Sequence, residues 1–431
     1  MTLVAKTYWG GAPFNFRRPP GDASVEAPIL KTLDFREIGG LYWTPASRPR
    51  PKIAVLLMHP RVDFGHHYSI PRLLEAGVGA LGANTRNPNN DTDTVHEEIV
   101  LDVAACVRWL REERGVESVV LLGNSGGGSL FALYQAQARS APGDRIAQTP
   151  GGSPTRLPEA QLIPADAMIY VSAHKGEGRV MNECIDPSVV EEADLHATDP
   201  DLDMYHPANG FRPAPEWCEF EPGFVERYRA AQIERVRRLD GIAREWIAVN
   251  RAAERRRADP EFQAWSVTRQ QDVLRREIQQ PVMVVYRTMA NLHYVDRHLD
   301  PSEREYGSLL SDRPDLMNRQ LMGFGRLCTP RAWLSTWSGL ASNADLTRTL
   351  PAIPDPTLVV HAGRDREIYP ETDARPIFEA VAAADRSFVE FPTARHYFEP
   401  DFGARDAPDV EALMDRILDW LGERFPEAMG A

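Results

Sequence analysis

Three residue types, far apart along a 431-residue chain, could together cleave an acyl bond. Gly123-Asn124-Ser125-Gly126-Gly127 is a G-x-S-x-G pattern set after the apolar run 119–122 and before a helical stretch. A strand-to-helix turn that sharp lifts the serine hydroxyl above the sheet edge, and glycines flank it because side chains would clash there. The N-terminus of the following helix offers its positive dipole end to a developing oxyanion. Serine is a poor nucleophile until a histidine takes its proton and an acid orients that histidine. Asp365 follows the apolar run 357–361, and His396 follows the run 387–391. Parallel strands present their C-terminal ends together, so Ser125, Asp365 and His396 would meet at one sheet edge. Each has a plainer reading: a glycine-rich turn, a turn aspartate, a surface histidine. The order Ser…Asp…His, each just past a buried strand, favours catalysis.

The elements that must carry these residues read as an α/β alternation from Lys52 onward. Residues 53–58, 119–122, 167–171 and 357–361 are short continuous apolar runs, as expected of strands buried on both faces. Residues 78–83 make a glycine-rich strand and 387–391 a sixth. Helices are expected over 70–76, 94–114, 126–138 and 410–425. In the second, Val95, Ile99, Val103, Val107 and Leu110 recur every three or four residues. Gly115 is placed to stop it. Between about 173 and 350 the rhythm breaks. Two helical patterns (223–250 and 260–285) and many prolines replace the strand–helix units. The expected fold class is therefore α/β, with residues 1–172 and 351–431 forming the sheet domain and 173–350 a mainly helical insertion.

On the elbow, the G-x-D turn and the late histidine, the chain resembles the α/β-hydrolase fold superfamily, in the form that carries a large cap. The resemblance covers roughly 52–171 and 357–425. It implies an oxyanion hole of two backbone N–H groups, one from Gly126 and one from the loop His59-Pro60-Arg61-Val62. Pro60 stands where that family usually has glycine, and proline has no N–H, so Arg61 is the expected second donor. His59 is expected to shape the loop rather than act as a base. His66 and His67 follow that loop and could line the pocket mouth. Trp333 and Trp337 lie where the chain returns to the sheet domain, and either touches substrate or packs the insertion down.

The reading that follows is a serine hydrolase cleaving an ester or lactone of a bulky, mostly apolar small molecule, with no cofactor and no metal. A carbon–carbon bond hydrolase acting on a diketone, an amide hydrolase and a non-catalytic binding protein are the alternatives. The remaining motifs carry less. Gly77-Val78-Gly79-Ala80-Leu81-Gly82 spells G-x-G-x-x-G but follows a helix and enters a strand, the reverse of a dinucleotide site. Asp199, Asp201 and Asp203 begin like a calcium loop, yet Met204 and Gly210 stand where glycine and glutamate are needed. His96-Glu97-Glu98 lacks zinc-helix spacing. The mixed charges over 226–277 read as a solvated helix face.

A net charge of −13 argues against a nucleic-acid partner. No run of about 18 apolar residues suggests a membrane span. The first residues show no secretory pattern. Cys106, Cys184, Cys218 and Cys328 are scattered, as expected of reduced thiols. A cytoplasmic protein acting on a small molecule is expected, with a homodimer possible through the insertion.

Overall fold

The structure is a computed structural model that describes residues 18–401, 404 and 406–429; the leader region read above lies outside them. Among the described residues, nine strands form one sheet. They are β1 Ser24–Glu26, β2 Ile29–Lys31, β3 Glu37–Thr44, β4 Ile53–Leu57, β5 Gly79–Ala83, β6 Ser118–Asn124, β7 Ala167–Val171, β10 Thr357–Ala362 and β11 Arg386–Phe391. A separate ribbon pairs β8 Met283–Val284 with β9 Leu327–Cys328. The main order is β1-β3-β5-β4-β6-β7-β10-β11, with β2 on β3. From β5 to β11 every pairing is parallel, and β3 joins antiparallel to β5.

Continuous apolar runs make these strands because both faces are covered. Along β4, Ala54 and Leu56 enter one apolar cluster while Ile53, Val55 and Leu57 enter the other. This is the period-two alternation of a pleated strand. Helices α2 His96–Glu112 and α3 Gly127–Arg139 cover the first face. Helix α1 Ile70–Glu75 and the C-terminal helix Pro408–Arg424 cover the second, with Leu413, Ile417 and Trp420 fully buried. Gly115 adopts φ +67° just past α2, where only glycine turns without strain.

The chain leaves the sheet after β7 and returns at β10. The stretch between holds its own apolar cluster, including Tyr228, Val236, Trp333 and Trp337. It contains α4 Glu177–Cys184, α5 Pro222–Arg257 and α6 Val267–Ile278, with long irregular segments between them. Two expectations are corrected here. The helix expected through 285 ends at Ile278, because Pro281 lacks an N–H and disfavours helix before it; β8 follows. The antiparallel strands β1–β3 precede Lys52 and were not expected; two are only three residues long, and Gly39 and Gly40 interrupt the third.

The elbow is built by close approach. A Cβ on Gly127 would lie 2.5 Å from the Met58 carbonyl oxygen, and one on Gly128 would lie 2.6 Å from Ala173 Cβ. Gly127→Ala must therefore displace backbone at the end of β4. We expect it to lower stability by about 1–3 kcal/mol, read as a lower urea midpoint. An unchanged midpoint would show that the approach is not tight.

Candidate active site

Ser125 sits between β6 and α3 with φ +54°, a conformation that costs energy for any residue with a Cβ. The surrounding contacts hold it there. Its N–H donates to the Val171 carbonyl at 3.1 Å, and its carbonyl accepts from Gly128 N–H at 3.1 Å. Asn124 is pinned from two sides: Nδ2 donates to Val171 O at 2.9 Å, and Oδ1 accepts from Tyr68 at 2.9 Å. A strained, over-determined serine above a sheet edge is what a nucleophile needs.

Asp365, past β10, and His396, past β11, are both buried. His396 Nδ1 lies 2.7 Å from Asp365 Oδ2. The other carboxylate oxygen accepts the N–H groups of Glu367 at 2.8 Å and Ile368 at 3.2 Å, which fixes its direction. A carboxylate only accepts, so the His396 proton is on Nδ1 and the lone pair on Nε2. Among the described residues Nε2 has no hydrogen-bond partner. The Ser125 hydroxyl pairs instead with the phenol of Tyr397, whose ring stands edge-on to His396. Serine–histidine bonds are often loose until substrate binds. Burial pulls the His396 pKa down, but the charge and hydrogen bond of Asp365 outweigh it and leave the ring above its ordinary value.

A parallel sheet with a serine elbow after its central strand, and an Asp–His pair after two later strands, fixes the architecture. This is the α/β-hydrolase fold. No family model matches the chain and no curated protein does. Solved structures similar to it include the α/β hydrolase GrgF from Penicillium sp. sh18, at 14% identity and TM-score 0.47, covering 93% of this chain and 98% of that one. Est1E from Butyrivibrio proteoclasticus is 11% identical, with TM-score 0.43 and coverage of 93% and 100%. Hypothetical protein PA2218 from Pseudomonas aeruginosa is 13% identical, with TM-score 0.46 and coverage of 98% and 99%. Likenesses this distant carry no argument about what this chain acts on.

The loop after β4 differs from its expected use. Arg61 N–H donates to His59 Nδ1 at 3.2 Å, as does Val62 N–H at the same distance. His59 therefore shapes the loop, and the Arg61 N–H is turned toward it. The Arg61 guanidinium forms a buried pair with Glu177 at the start of α4, at 3.2 and 3.3 Å. Trp337 is buried beneath that guanidinium, 5.3 Å from its ring centroid. Trp333 packs the inserted segment, its indole N–H donating to Asp240 on α5 at 2.8 Å. His66 is exposed, its ring against Trp43 at the surface. His67 is buried, 3.3 Å from Asn124 Oδ1.

Glu177, His174 and Tyr397 did not stand out in the sequence. One signal would have found His174: it lies three residues past the C-terminal end of a parallel strand, the position class that also gave His59, Ser125, Asp365 and His396. The decoys stay apart from this site. Gly77 is a left-handed turn after α1, and Asp199 caps a short turn through the Asp201 N–H. No group of three or more His, Cys, Asp or Glu among the described residues is placed to hold a metal ion. No described helix is long and apolar enough to cross a membrane.

Two pH dependences follow with different signs of origin. The base must be unprotonated, so the raised His396 pKa puts the acid limb of kcat/KM above the ordinary imidazole value of 6.5. Asp365→Asn should move that limb down and cut kcat by about 10⁴-fold; a rate flat from pH 5 to 8 would refute the base. Burial instead lowers His59 and His67 to about 3, and His96 and His174 to about 4. The unfolded chain takes protons below pH 6.5 that these folded rings refuse. These four rings should make stability fall from pH 6.5 toward pH 4, against the opposite contributions of Glu367 and Asp102, whose burial raises their pKa to about 7 and about 6. The denaturant midpoint of His67→Asn should fall less over that range than that of the wild type, and an equal fall would contradict neutral burial.

Proposed function

We propose that this chain is a serine hydrolase of carboxylic esters or lactones, working through an acyl-enzyme. The observation that carries the reading is the Ser125 elbow set beside the His396–Asp365 pair, with His396 Nε2 left as the acceptor. In this reading Ser125 Oγ attacks the carbonyl carbon as His396 Nε2 takes its proton. Asp365 holds the ring and stabilises the imidazolium. His396 then protonates the departing alkoxide, and water repeats the sequence on the acyl-enzyme. Gly126 N–H, at the start of α3, is the backbone donor for the oxyanion.

The inserted segment meets this edge through Glu177, which pairs with Arg61, and Trp337, which lies under the guanidinium. The polar groups beside Gly126 come from the loop after β4 (His59, Arg61) and from the start of the inserted segment (His174, Glu177). That surrounding supports a substrate with hydrogen-bonding groups near the scissile carbonyl.

Intact-mass analysis after incubation with a fluorophosphonate tests the reading. One adduct is expected on the wild type and none on Ser125→Ala. Turnover of p-nitrophenyl acetate should be lost with it. Equal labelling of both proteins, or none of either, would overturn the assignment of Ser125 as nucleophile.

A further inference from the structure

The Arg61 N–H, one of two donors implied by the family resemblance, is held by His59 Nδ1 in this structure. The same contact fixes the imidazole's own proton. A nitrogen that accepts from Arg61 N–H and Val62 N–H carries none, so neutral His59 is protonated on Nε2. His174 repeats the device from the next strand. Its Nδ1 accepts from Gly176 N–H at 3.1 Å, which places its proton on Nε2 as well. Burial keeps both rings neutral.

Both Nε2–H groups point to one place. A Cβ on Gly126 would lie 2.8 Å from His59 Nε2 and 3.2 Å from His174 Nε2. Neither Nε2 makes a hydrogen bond among the described residues; His174 Nε2 lies 3.9 Å from Glu177 Oε2. This also accounts for glycine at 126, a position the elbow pattern leaves open. Any side chain there would strike both imidazoles and Glu177 Oε1, which would be 2.7 Å away.

We propose that His59 and His174 are catalytic residues whose Nε2–H groups, with Gly126 N–H, receive the oxyanion in place of the Arg61 N–H. The proposal rests on the serine hydrolase reading. As the Ser125 Oγ–carbon bond forms, the carbonyl π pair moves to oxygen, and that oxygen accepts from the imidazole donors. No proton leaves them; the serine proton goes to His396. When the tetrahedral intermediate collapses, the pair returns, the carbon–oxygen bond to the leaving group breaks, and His396 gives up its proton. Neutral donors suit the step, because His396 becomes a cation within electrostatic reach of His59. The Glu177 charge, which would oppose an oxyanion, is matched by Arg61.

Two substitutions at each histidine separate this role from loop support. Asparagine places Oδ1 where Nδ1 was, keeping the backbone contacts, but has nothing at Nε2. Glutamine reaches the Nε2 position with an N–H and leaves the loop N–H groups without their acceptor. With p-nitrophenyl acetate, His59→Asn and His174→Asn should each lower kcat by about 10²–10³-fold with little change in KM. The Gln variants should keep more of kcat. The reverse ranking, Asn active and Gln inactive, would overturn the proposal in favour of loop support. Wild-type fluorophosphonate labelling is the separate control, since its absence would sink the hydrolase reading itself. Should the variants fail to fold, ¹⁵N-histidine spectra of the wild type with an alkyl trifluoromethyl ketone decide. Two Nε2–H protons moving downfield on adduct formation is the expected result; unmoved signals would overturn it.

Discussion

The Arg61–Glu177 pair is the contact on which the site's geometry depends. Both side chains are almost wholly buried, 4% and 1% exposed, so each charge is tolerable only because of the other. Taking an ion out of water costs several kcal/mol even after relaxation. Burial alone would raise the Glu177 pKa, but Arg61, with smaller contributions from His174 and His59, holds it at about 2. Arg61 belongs to the loop after β4 and Glu177 to the first turn of α4. The guanidinium lies over Trp337 and Phe324, which come from the far end of the inserted segment. One ion pair thus fixes three distant stretches of chain around Gly126. It does so without a side chain on Gly126, whose absence is what lets Glu177 and two imidazoles approach.

Four imidazoles meet at this edge, and burial acts on all of them in the same direction. What separates them is the partner of Nδ1. His59 and His174 receive backbone N–H groups there, so their protons sit on Nε2, and burial outweighs the pull of the Glu177 carboxylate toward a positive charge. His396 gives its Nδ1 proton to a carboxylate, which does stabilise one. The first two therefore present an N–H at Nε2, and the third a lone pair. Pairs of like residues pushed apart by environment are how one fold assigns acid, base and electrophile. His96 is neutral too but carries the other tautomer: the Thr336 hydroxyl donates to the Thr94 carbonyl at 2.6 Å and so accepts from His96 Nδ1–H. Its Nδ1 meets the Thr336 hydroxyl at 3.0 Å, and its Nε2 is buried without a partner among the described residues.

The sheet and the Asp365–His396 pair were legible because both rest on short-range pattern. Apolar runs such as 53–57 and 167–171 leave little alternative to a doubly covered strand. Parallel strands then carry the residues just past their ends to one edge, so Ser125, Asp365 and His396 needed no distance information. The inserted segment was not legible in that way. Its contacts are polar and long-range, as in Trp333 to Asp240 or Arg61 to Glu177, and no local periodicity encodes them. The tryptophans show the difference. Trp333 and Trp337 are four residues apart and equally buried, yet one bonds α5 and the other underlies Arg61. The Arg61 N–H was misdirected for a related reason: sequence shows that Pro60 removes a donor, but not that His59 turns back to accept the next one.

The loop that carries Asp365 also grips the inserted segment. Two residues on, Glu367 is half-buried, accepting the Tyr294 hydroxyl at 2.8 Å and the Leu309 N–H at 3.1 Å. Burial raises its pKa to about 7, partly offset by Tyr294 and His396. Slightly further on, the N–H groups of Glu371 and Thr372 donate to Asp300 at 3.1 and 2.8 Å. Tyr294, Asp300 and Leu309 all belong to the inserted segment, whereas Asp365 orients the base. The direction of the Asp365 carboxylate depends on the N–H groups of Glu367 and Ile368. Any shift of the inserted segment that pulls on Glu367 therefore acts on the hydrogen bonds that aim Asp365 at His396. The inserted segment and the carboxylate that holds His396 are joined through two residues of backbone. A substrate that seats the inserted segment closely would in the same motion firm the geometry of the base.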